Sequence, residues 1–148
     1  MSEHFRLLRF YFCLLALFTI GRWWLGLGGA EYAKTHQIFS LVTLSLIAAA
    51  HHAAFARAFV GYRLGQAVVL GALVGLSTQI VIFVSTALSY VLGLHTFFNT
   101  PAALNATEPV AFGAAMGARA FGLVVNTVLN VIAALIGYAM GAALPKKA

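Results

Sequence analysis

Three side chains near the end of the sequence have types and spacing that could do chemistry together: Arg119, Asn126 and Asn130. On a helix that turns 100° per residue they fall within about 40° of one another. A guanidinium and two carboxamides on one stripe offer donors to an anion, and both donors and acceptors to a polar solute. The neighbouring residues are apolar, so this stripe belongs to a helix in a low-dielectric setting. If a bilayer is centred near Asn126, Arg119 lies about 10 Å from the midplane at 1.5 Å per residue. A charge at the centre of a membrane helix costs at least ~2.5 kcal/mol on insertion scales. Arg119 is therefore expected to face protein, water or a ligand.

Two uses of the stripe follow. One is structural: an ion pair to Glu31 or Glu108, the acids on the same side, with amide bonds between helices. The other is a binding site for an anion, a lipid headgroup or a polar solute, formed by Arg119, Asn126, Asn130, Gln79 and Glu108, with His36 and His95 at its outer mouth. Gly137 and Gly141 continue roughly the same face.

The five histidines form a second set. His51 and His52 are adjacent and diverge by 100° on a helix, so they cannot both ligate from one regular face. His36 and His95 fall at the outer ends of two segments. Facing histidines at one level could hold haem b or a metal, so His36, His95, His51 and His52 define a haem- or quinone-binding alternative. The spacing does not compel it, and ordinary interfacial hydrogen bonds are the simpler expectation. CxxC, HExxH and CxxCH patterns are absent from the sequence. So are a GxSxG elbow, a P-loop and a dinucleotide-binding glycine motif in suitable context. With three acids in the chain, paired-carboxylate catalysis has little material. The expectation leans away from an enzyme and names no metal.

What must position these residues is set by composition. The chain has 148 residues, of which 62% are hydrophobic and 8% charged, and its mean hydropathy is +0.95. A soluble domain carries about a quarter charged residues, so lipid is the natural solvent here. The net charge of +6 does not point to nucleic acid, because the basic residues sit at the ends of apolar segments rather than in one patch. The single cysteine, Cys13, cannot form an internal disulfide and is expected to be a small buried hydrophobe.

Four apolar segments run over about 7–27, 38–55, 67–94 and 110–144. Each is near or above the ~20 residues needed to cross ~30 Å of hydrocarbon, and a helix satisfies its own backbone there. The expected fold is all-α: a single domain over 1–148, forming a four-transmembrane-helix bundle. Arg6, Arg9, Arg57, Arg63, Lys146 and Lys147 fall on one side of four spans, which places both termini in the cytoplasm. Trp23, Trp24, Tyr32, Phe97 and Phe98 suit the opposite interface. Arg6 and Arg9 ahead of an apolar run also resemble a cleavable leader, but Arg22 interrupts that run. The connection over about 95–109, rich in Asn and Pro, is the one long outer loop, expected to lie on the bilayer or fold back over the bundle.

The third segment places Gly71, Gly75, Thr78, Ile82, Thr86, Ser89 and Gly93 on one face, with Gln79 beside it. Lipid does not drive apolar helices together, so small residues mark a packing seam, with a polar lane as the functional alternative. The expected function is a small inner-membrane protein, in contact with lipid, that binds or passes a polar or anionic small solute or a headgroup, as a homo-oligomer. The alternative is an accessory or assembly subunit of a larger membrane complex, with a partner membrane subunit.

Overall fold

The computed structural model describes residues 3–144, and the described residues are helical with no strands. The helices are α1 (Glu3–Leu27), the single turn α2 (Tyr32–Thr35), α3 (Leu41–Phe55), α4 (Leu64–Val91) and α5 (Phe112–Gly141). A π-helical turn (Ala56–Val60) prolongs α3, and a 3-10 turn (Pro101–Leu104) lies in the loop before α5. Four helices, counting α3 with its π turn, are long and apolar enough to cross a membrane.

The ends have local causes. Gly29, at φ 72°, lets the chain reverse after α1, with Ala30 N donating to Leu25 O at 3.1 Å. Ser40 caps α3 by accepting from Thr43 N at 3.3 Å. Segment two therefore starts later than the expected residue 38, because Ile38 and Phe39 belong to the turn. At the start of α4, Arg63 N donates to the Gln66 side chain at 2.8 Å. Gly93, expected in the packing seam, instead ends α4: its φ is 63°, and Leu94 N closes the turn on Ser89 O at 2.9 Å.

Helix α5 packs against both α3 and α4. On α4, Gly71 and Gly75 let the α5 backbone approach: a Cβ at Gly75 would lie 2.8 Å from Thr127 Cα, and one at Gly71 2.8 Å from Asn130 O. The other seam residues on α4 are buried. Gly137 and Gly141 turn to α3 instead. A Cβ at Gly141 would lie 2.5 Å from Ala54 O, and one at Gly137 would sit closer still to Ala50 O. Small residues thus set both interfaces, as membrane-type packing requires.

Helix α1 is attached differently. It buries Leu8, Tyr11 and Leu15, one stripe at steps of three and four. Tyr11 donates its hydroxyl to Val74 O at 3.0 Å and meets the Thr78 hydroxyl, and Trp23 Nε1 donates to Ser85 Oγ at 3.3 Å. Cys13 faces outward and is exposed, contrary to the expectation of burial. It sits two positions after Tyr11, which turns it 200° from that inward residue.

Candidate functional site

The loop between α4 and α5 is shaped by its own side chains. Asn99 Oδ1 accepts from Thr96 N at 2.9 Å, and Asn99 Nδ2 donates to Leu94 O at 2.8 Å. Thr96 Oγ1 accepts from Phe98 N at 3.1 Å and bonds to Ser89 Oγ at 2.7 Å. These bonds fold the loop back over the bundle, with Phe97 and Phe98 buried, and aim the carbonyl of Phe98 inward.

That carbonyl receives Arg119. The terminal nitrogen Nη2 of Arg119 donates to Phe98 O at 2.7 Å, and its Nε to Thr86 Oγ1 at 3.0 Å. Thr86 Oγ1 in turn lies 2.8 Å from Ile82 O and 3.2 Å from Phe98 O. No carboxylate takes part. Glu31 pairs with Lys34 at 2.6 Å on an exposed turn, the one ion pair found among the described residues, and Glu108 is exposed. The expected Arg119–Glu pair is replaced by a carbonyl and a hydroxyl. The folded loop brings that carbonyl to the guanidinium, while Glu31 lies within reach of Lys34 one turn away.

A second arginine faces the same space. Arg22 donates to His36 O at 3.2 Å and to Tyr32 Oη at 3.4 Å. Its guanidinium carbon lies 5.6 Å from the ring centroids of Tyr32 and Phe97 and 5.8 Å from that of Phe98, within range of cation–π attraction. Arg22, Arg119, His36, Ser40, Tyr32 and Phe98 are among the residues lining a cavity of about 170 Å³. None of the described residues lining it is acidic. In the hydrogen bonds of the described residues, Nη1 of Arg119 and Nε of Arg22 stay free. Two cations with spare donors beside a hydroxyl and an imidazole suit an anion.

The other expected site residues lie elsewhere. Asn126 Nδ2 donates to Gly122 O at 2.9 Å, and Asn130 Nδ2 to Asn126 O at 2.8 Å, so both amides turn back onto α5. Gln79 is buried on the facing side of α4, its Oε1 3.9 Å from where a Cβ of Gly122 would lie. Arg119, Asn126, Asn130 and Gln79 share the α4–α5 seam, but only Arg119 reaches the cavity.

The histidines are also separated. His36 lines the arginine cavity, whereas His95 lines a different one of about 360 Å³ with Tyr90, Asn99 and Thr100. His51 and His52 lie edge to face on α3, with ring centroids 5.4 Å apart, and the α1 residues across from them in their cleft are Phe10, Tyr11 and Leu14. No opposing histidine faces that pair among the described residues, and no cluster of three or more metal-ligating side chains occurs among them.

In the sequence Arg22 stands out only as an interruption of the first apolar run, and Tyr32 as an interfacial aromatic. An arginine inside an apolar helix was as strong a signal in the first segment as in the fourth. The carbonyl of Phe98 carries no side-chain signal at all. No protein-family model, curated protein or solved structure matches this chain, so the fold class is stated from geometry alone: an all-helical bundle with four helices of membrane-spanning length.

Proposed function

We propose that this is an inner-membrane protein with both termini in the cytoplasm that binds a small polar or anionic solute, or a lipid headgroup, through Arg119 and Arg22. The observation that carries this is the convergence of two arginines from α1 and α5 on one cavity without an acidic wall. Two partly buried like charges lining one cavity repel each other, and a bound anion would offset that repulsion.

Binding is favoured over passage through a single copy. Below Arg119 the α4–α5 seam is closed by backbone contact at Gly71 and Gly75, so a path for solute would have to run between copies. The accessory-subunit reading is weaker, because Arg119 already has its partners within the chain.

The test is thermal unfolding of the protein in nanodiscs of neutral lipid, titrated with phosphate and with small carboxylates, and repeated in discs containing anionic lipid. A ligand at 100 times its Kd stabilises by about 2.7 kcal/mol, which raises the midpoint. Soluble anions acting alone identify a solute, and anionic lipid acting alone identifies a headgroup. Arg119→Ala and Arg22→Ala should each remove the response. A folded Arg119→Ala protein that keeps every anion response would remove this reading.

A further inference from the structure

A second cavity lies between α1 and α3, in the half of the bundle where α1 begins and α3 ends. Phe10, Tyr11 and Leu14 form one wall and Leu44, Ile47, Ala48, His51 and His52 the other, around about 170 Å³. A cavity of about 150 Å³ accepts one benzene ring. Phe10 is 65% exposed and Ile47 63% exposed, so the cleft is open on the outer side of the bundle, which faces hydrocarbon if the helices span a membrane. Arg57 follows His51 by six positions, or about 9 Å along a helix at 1.5 Å per residue, and on the other wall Arg9 directly precedes Phe10. The cleft thus lies at the basic end of the bundle, its apolar lining running inward from the level of Arg9.

Two imidazoles in an apolar cleft need hydrogen-bond partners. His52 Nδ1 lies 2.8 Å from Ala48 O. A carbonyl only accepts, so that nitrogen carries the proton, and Nε2 of the neutral ring is left as an acceptor. His51 has no hydrogen bond among those of the described residues and can donate from either ring nitrogen. Tyr11 cannot serve either ring, since its hydroxyl is held by Val74 O. The cleft therefore presents one donor and one acceptor side by side, at the edge of a slot for a single ring.

We propose that this cleft binds the reduced ring of a membrane-dissolved quinol. A ring hydroxyl donates to His52 Nε2 and accepts from His51, while the tail runs out past Phe10 and Ile47 into lipid. An oxidised quinone has only carbonyl oxygens and cannot satisfy the His52 acceptor. The cleft therefore prefers the quinol by roughly three- to tenfold, the worth of one hydrogen bond. The proposal depends on the membrane reading and is independent of the arginine cavity.

The experiment uses the full chain in phosphatidylcholine nanodiscs under anaerobic conditions. Binding of a short-tailed benzoquinol, kept reduced, is measured above its partition into empty discs and compared with the matching benzoquinone. The expected result is saturable binding that favours the quinol, that His51→Leu and His52→Leu each weaken, and that Arg119→Ala leaves unchanged. The comparison of quinol with quinone on the wild-type protein holds even if a variant fails to fold. Binding no greater than in empty discs, or equal affinity for both redox forms, would overturn the proposal. So would a His51- or His52-dependent Soret band in protein from haem-replete cells.

Discussion

Gln79 is 4% exposed, yet its Nε2 has no hydrogen-bond partner, and Thr127 Oγ1 and Asn130 Oδ1 share that condition. A buried polar atom without a partner costs about 1–3 kcal/mol, and replacing it with an apolar group of similar shape removes the cost. Gln79→Leu is therefore expected to leave the protein as stable as before or more stable by up to about 2 kcal/mol. Titration of unfolding with a denaturing detergent in mixed micelles measures this. A loss of more than about 1 kcal/mol would mean that the amide has a partner in the membrane. The site was only partly legible at this scale. Arg119 announced itself because a charge among apolar residues needs an explanation. Asn126 and Asn130 share its stripe but turn their amide nitrogens onto their own helix, and spacing cannot tell an amide that turns back from one that reaches across.

At the scale of elements, two glycine pairs hold the bundle, and they differ from glycines that merely occur in helices. A Cβ at Gly137 meets the Ala50 backbone, whereas one at Gly117 meets nothing within 4 Å. Gly137→Ala should force α3 and α5 apart and cost about 1–3 kcal/mol or more, the usual range for an overfilled contact. Gly117→Ala removes a flexible residue from an open helix face and should gain up to about 1 kcal/mol. The pair, measured by the same unfolding titration, tests the packing directly: equal effects would mean that α3 and α5 do not meet at Gly137. The seam on α4 was legible from small residues at steps of three and four. That Gly137 and Gly141 serve α3 was not, because α5 lies over the groove between two neighbours and one face touches both.

For the whole molecule, hydropathy made the four long helices readable, since each apolar run is near or above the ~20 residues a membrane crossing needs. The arginine cavity was not readable, because it joins α1, the turn after it, the start of α3, the loop and α5, which only tertiary packing brings together. The proposed orientation rests on the positive-inside rule: Arg6, Arg9, Arg57 and Arg63 lie at the end of the bundle where α1 begins and α3 meets α4, and Lys146 and Lys147 lie outside the described residues. Two cysteine probes in a Cys13→Ser background check it. In right-side-out vesicles an impermeant maleimide should label Ala102→Cys in the outer loop and spare Gly65→Cys beside the π turn. The reverse pattern would invert the orientation, and labelling of both from one side would break the four-span arrangement. The clasp between Arg119 and the Phe98 carbonyl joins the cavity to the loop. The same guanidinium lines the cavity and fastens the loop beside it, so an anion that took Nη2 along with the free Nη1 would compete with the Phe98 carbonyl. By reciprocity, whatever such an anion does to loosen the loop, a loosened loop does equally to strengthen the anion's hold.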